Sequence, residues 1–114
     1  MSSILNDTKK VLNLGSSYTP FDQDIITHIN AAFSVINQLG IGPDEGCLIT
    51  DATTTWEDLD LPTRWTNLLK TYLYLKVRML FDPPTMSFMI TSMNDQLKEY
   101  EWRLSHYREL EIAP

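Results

Sequence analysis

Two histidines, His28 and His106, and a single cysteine, Cys47, stand among fifteen carboxylates. A zinc or redox centre needs such ligands at short, fixed spacing, and these three lie on three separate segments. His28 falls one residue before the apolar Ile29, at the edge of a helical stripe. Both histidines read as structural or surface residues. Cys47, followed by Leu48, reads as a small buried hydrophobe, because neither histidine has a placed orienting partner to activate a thiol. Glu57, Asp58 and Asp60 are close enough to attract a hard cation. The alternating acids, central glycine and closing glutamate of a calcium loop are missing, and acids at helix starts that suit the dipole explain them better. Met79, Met86, Met89 and Met93 resemble a soft metal or partner surface, but their helical spacing favours core packing around a joint. Phosphate loops, zinc motifs and nucleophile elbows are not found. The expectation is no catalytic residue, no metal and no cofactor, so not an enzyme.

The remaining chemistry is charge. Lys70, Lys76, Arg78, Arg103 and Arg108 lie near tyrosines and Trp102, an arrangement that nucleic acid could use. A net charge of −6 argues against free-standing duplex binding. Residues 1–60 carry two bases against nine acids, and residues 61–114 carry seven against six. An acidic side and a near-neutral side suit head-to-tail contact between copies of one chain. On that reading Asp22, Asp24, Glu57 and Asp58 of one copy face Arg64, Lys70 and Arg78 of the next.

These side chains must be held by helices. The first is expected from Ser3 to about Leu14, capped by Ser2 or Ser3 and ended by Gly15, with Ile4, Leu5, Val11, Leu12 and Leu14 on its apolar side. The second opens at Thr19-Pro20-Phe21-Asp22, with a hydroxyl cap and proline at the first helical position. Its stripe is Phe21, Ile25, Ile29, Ala32, Ile36 and Leu39, widened by Ile26 and Phe33. Gly40 ends it and Gly42-Pro43 prevents a restart. Residues 41–58 are irregular or β-like. Cys47-Leu48-Ile49-Thr50 reads as a short strand and Thr55-Trp56-Glu57-Asp58 as one helical turn.

Asp60-Leu61-Pro62 opens a third helix to about Phe81. One stripe is Leu61, Trp65, Leu68, Tyr72, Leu75 and Met79, and beside it runs a second, Leu69, Leu73, Val77 and Leu80. A helix apolar on two sides is the centre of its domain. The joint Phe81-Asp82-Pro83-Pro84 then breaks the chain. Proline lacks the amide donor and clashes with the preceding turn, and Asp82, before a proline, is pushed out of helical geometry. A fourth helix from about Thr85 to Leu110 carries Met86, Ile90, Met93, Leu97, Tyr100, Leu104 and Tyr107, with Glu99 and Arg103 as a supporting pair. The last residues, Glu111 to Pro114, are expected to fray. The whole is expected to be all-α: a compact four-helix module of 114 residues in one domain.

A hydrophobic fraction of 43% is enough for a packed core and argues against wholesale disorder. One cysteine allows no internal disulfide. The start of the chain lacks the basic and apolar regions of a signal peptide, and apolar runs fall short of the roughly 20 residues of a bilayer span. A soluble protein made in a reducing cytoplasm, without membrane contact, is expected.

The order of these parts resembles a known family. Phe21-Asp22-Gln23-Asp24-Ile25-Ile26-Thr27-His28-Ile29-Asn30 precedes the helix end Leu39-Gly40-Ile41-Gly42-Pro43. Then come the turn Thr55-Trp56-Glu57-Asp58 and the helix Tyr72-Leu73-Tyr74-Leu75-Lys76-Val77-Arg78. Last are the joint Phe81-Asp82-Pro83-Pro84 and the segment Glu101-Trp102-Arg103-Leu104. Over about residues 4–108 this resembles the head–tail connector, or adaptor, proteins of long-tailed bacteriophages. The resemblance implies a structural virion protein at the capsid vertex, assembled in the host cytoplasm. It implies a ring of about twelve copies beneath the portal protein. Such a ring extends the DNA channel and docks a stopper or tail completion protein, while duplex DNA passes without sequence-specific binding. The family brings no catalytic residues. Its C-terminal portal clasp is long, whereas here about four residues follow the last helix. Portal contact would fall to the helix end, at Trp102, Arg103, Tyr107 and Arg108. A different reading of the same pattern is a small helical regulatory or adaptor module that binds a partner helix.

Overall fold

The computed structural model describes residues 3–40, 48–59 and 63–106. Four helices appear in order: α1 (Ile4–Val11), α2 (Asp22–Gln38), α3 (Thr63–Phe81) and α4 (Ser87–Ser105). A single 3-10 turn, Trp56–Leu59, precedes α3. There is no strand among the described residues, only an isolated bridge between Ser3 and Thr55. The all-α four-helix reading holds, and the molecule measures 45 × 36 × 21 Å.

The third helix is the centre. α2 and α4 both pack along it, and α1 closes on α2 and α3. From α3 the core takes Trp65, Leu69, Tyr72, Leu73 and Val77, which draw on both predicted stripes. Leu80, expected in the second stripe, is exposed instead. From α2 it takes Ile25, Ile26, Ile29, Ala32, Phe33 and Ile36, the middle of the stripe read from the sequence, while its expected ends differ: Phe21 is exposed and Leu39 half-buried. α4 contributes fully only at Leu97 and Leu104, while Ile90, Met93 and Tyr100 are half-buried. Its C-terminal half is the half that packs. A carboxylate bond fastens the pair: buried Tyr72 donates its hydroxyl to Glu101 Oε2 at 2.9 Å.

Helix ends differ from expectation for local reasons. α1 is capped by Ser3, whose Oγ accepts from the Asn6 N–H at 3.2 Å. It ends at Leu12, before Gly15. Asn13 takes the left-handed position with φ 64°. The Leu14 N–H donates to the Lys9 carbonyl and the Asn13 N–H to the Lys10 carbonyl. This is the Schellman pattern, with asparagine in the place glycine usually takes. Val11, expected on the apolar side, is exposed. α2 starts at Asp22 because Thr19-Pro20-Phe21 forms a turn in which the Asp22 N–H donates to the Thr19 carbonyl at 3.1 Å. Thr19 is thus no N-cap, and Phe21 holds that position without a side-chain bond. The end at Gly40, φ 93°, is as expected. α4 begins at Ser87, past the predicted Thr85, with Met86 at the cap position.

Residues 48–50 are not a strand. Their sheet-like partner is one side chain. The Ile49 N–H donates to Asn30 Oδ1 at 2.8 Å, and Asn30 Nδ2 donates to the Ile49 carbonyl at 3.0 Å. This seats buried Ile49 in the core and leaves Leu48 exposed. The expected turn at Thr55 forms, with Asp58 Oδ2 accepting from the Thr55 N–H at 2.9 Å. The Ile4 N–H reaches the Thr54 carbonyl, and the Trp56 indole donates to Asp7 Oδ2 at 2.8 Å. Residues 48–59 are therefore a strap across α1, α2 and α3. Asp60-Leu61-Pro62, Ile41-Gly42-Pro43, Cys47 and the tail from Tyr107 lie outside the described residues.

Candidate interaction surface

No three of the described His, Cys, Asp and Glu residues gather to hold a metal ion. The described helices include none long and apolar enough to cross a membrane. What the fold positions is a set of surfaces, beginning with the joint.

Phe81, the last residue of α3, turns inward. Its ring meets Phe21 edge-on at 5.4 Å and His28 at 6.4 Å. Tyr18 lies 5.9 Å from Phe21. One aromatic cluster thereby ties the α1–α2 loop and the first turns of α2 to the end of α3. This accounts for His28 at the stripe edge. Asp82 is exposed and donates its N–H to the Arg78 carbonyl at 2.8 Å, the last bond of the helix. Pro83 is exposed and Pro84 half-buried.

The methionine group does not pack as a core around this joint. Met79 and Met93 are half-buried, but Met86 and Met89 are exposed. With Leu80 and Phe88 they leave four large apolar side chains in the open within ten residues of chain. Phe88 is 65% exposed. It sits off the stripe that joins Met86 to Ile90, and that offset was the available signal. It lines one end of a shallow hollow, open to solvent, that runs along α4 over Thr91, Ser92, Asp95, Gln96 and Glu99.

The charged candidates separate into two groups. Asp24, Glu57 and Arg78 stand exposed. Asp22 has an internal partner: Lys9 Nζ lies 2.8 Å from its carboxylate, with the lysine side chain 1% exposed. The same ammonium donates to the Ser16 carbonyl at 3.1 Å. This buried pair, unreadable from the sequence, binds α1 to the start of α2. Asp58 is engaged by Thr55, and Lys70 lies over the Trp56 ring at 5.2 Å, so both also have work within the chain. Arg64 is in the first turn of α3.

At the far end of α4, Trp102 is exposed and its ring lies tilted against that of His106 at 4.3 Å, with His106 Nδ1 2.8 Å from the Trp102 carbonyl. Arg103 pairs with Glu99 at 3.1 Å, the predicted supporting pair. Tyr107 and Arg108 lie outside the described residues. Three ionisations are displaced among the described residues. Burial, then the Glu101 carboxylate, pushes the Tyr72 phenol well above its ordinary range, and burial raises Tyr74. Asp51 is held low by bonds from the Thr53 hydroxyl and N–H, which make a local turn.

Residues 4–111 match the family model described as phage connector protein. The searches of curated proteins and of solved structures found no match.

Proposed function

The chain belongs to the phage connector protein family, and from that premise we propose that it forms a closed ring between portal and tail, extending the DNA channel. The family is a structural one, made of virion components that act with others such as portal or tail proteins. The finer reading is a head-completion adaptor: a ring docked under the portal, offering its other face to a stopper or tail completion protein. The observation that carries it is the family match across nearly the whole described chain.

Exposed charge supports the mode of assembly. Asp24 and Glu57 against Arg78 of a neighbour is a heterologous contact, which closes only if its rotation matches the symmetry on which it docks. Trp102, with Arg103 beside it, is the aromatic and basic pair at the end of α4 for the portal side. An acidic channel wall would let duplex DNA slide, because it makes no phosphate contacts that must break.

Sedimentation of the purified protein with portal complexes tests this. Co-sedimenting rings are the expected result. Absence of a complex at every salt concentration, together with capture of an amphipathic helical peptide by the monomer, overturns it in favour of a partner-helix module.

A further inference from the structure

Met86 and Met89 place two thioethers in the open at the start of α4, the residues being 52% and 38% exposed. Met79 and Met93 are half-buried, and Met79 packs against the core. Met86, Met89 and Met93 follow one another at three and four residues, so they share one side of the helix. Along that side the sulfurs pass from solvent towards the core. The Met86 carbonyl accepts from the N–H groups of Met89 and Ile90, both at 3.1 Å, and so carries the first bonds of α4. Its side chain makes no capping bond. Helix geometry at this end therefore does not depend on what the sulfur carries.

A thioether is a soft, polarisable nucleophile, and its oxidation requires that an oxidant reach the sulfur. With a hydroperoxide, the sulfur attacks the terminal oxygen. An S–O bond forms as the O–O bond breaks, so sulfur loses two electrons and the peroxide gains them. The proton on the transferred oxygen passes to the departing oxide, which leaves as water or an alcohol. The product is a sulfoxide, polar where the thioether was apolar.

We propose that Met86 and Met89 form a reversible oxidation site. Hydroperoxides attack it ahead of Met79 and Met93, and a thiol-dependent methionine sulfoxide reductase restores it. Leu80 and Phe88 are exposed on the same stretch of chain. Two sulfoxides turn this corner from mainly apolar to mixed while α3 and α4 stay in place. The site does not draw on ring assembly.

The test adds dilute hydrogen peroxide to the full-length protein and follows each methionine by peptide mapping in a mass spectrometer. Met86 and Met89 should oxidise at least about threefold faster than Met79 and Met93, with Met86 first. In denaturing guanidinium chloride the rates should converge. Protein oxidised only at Met86 and Met89 should keep its circular dichroism and its Tm. A methionine sulfoxide reductase supplied with a dithiol should return both to thioethers without unfolding the chain. Met86→Leu/Met89→Leu keeps the apolar volume and should leave the slow rates of Met79 and Met93 unchanged. The proposal is overturned if Met79 or Met93 reacts as fast as Met86 in the folded protein. It is equally overturned if helix content falls as the first two sulfoxides form, or if the reductase leaves them in place.

Discussion

Asn30 gives both halves of its amide to the backbone of Ile49, as acceptor and as donor. Asn30→Ala leaves that N–H and carbonyl without partners at the edge of the core and should cost about 1–3 kcal/mol in thermal or urea unfolding. Asn30→Asp keeps the acceptor alone and should fall between. Lys9 is a sharper case. Its ammonium is buried, and removing Asp22, whose side chain is 25% exposed, leaves it only the Ser16 carbonyl, a loss of about 1–3 kcal/mol. Charge reversal at Asp22 therefore tests folding before it tests assembly, and exposed Asp24 is the position at which assembly alone is read. Tyr72 gives a pH dependence. Its folded-state pKa lies above the unfolded value, so its contribution is complete below about pH 10 and is lost as pH rises past that. Tyr72→Phe should make unfolding less sensitive to alkali while removing the bond to Glu101.

Among the elements, α3 holds the others. Leu69→Ala or Leu73→Ala should each cost roughly 2–5 kcal/mol, as for other buried leucines. A loss below about 0.5 kcal/mol at both would show that α3 is not central. Replacing Pro83 and Pro84 with alanine should keep helix content by circular dichroism and loosen the angle between α3 and α4, read as weaker ring formation. The helices were legible because burial repeats at the period the sequence displays, as in Ile25, Ile29, Ala32 and Ile36. Their ends were less so. Asn13 reached the left-handed position before Gly15 could, and Thr19-Pro20 spent its turn signal on a loop. Contacts between distant residues were not legible: the Asn30 clamp and the Lys9–Asp22 pair depend on how elements cross. The α4 stripe repeats evenly in the sequence, but the elements packed against it cover mainly its C-terminal half, and Met86 and Met89 at the corner stay outside.

For the whole molecule, the expected behaviour is assembly governed by weak rim charges around a fixed body. Raising salt should slow ring formation on portal complexes, since screened surface charge acts mainly on encounter and register. Asp24→Lys should hinder rings and leave the melting temperature near that of wild type. A ring that forms equally fast at low and high salt would remove charge from the account of its register.

The strap of residues 48–59 has a consequence for the order in which the chain can be built. Trp56 donates to Asp7 across 49 residues and packs edge-on against Tyr74. α1 has eight residues, too few to persist alone in water. During synthesis it has to wait, unstructured, until the ribosome has released the strap and most of α3. An element made before its partners is thus among the last to settle, and the nascent chain stays open to proteases or chaperones through that interval. Pulsed hydrogen exchange during refolding should find the amides of α1 protected no earlier than the indole of Trp56.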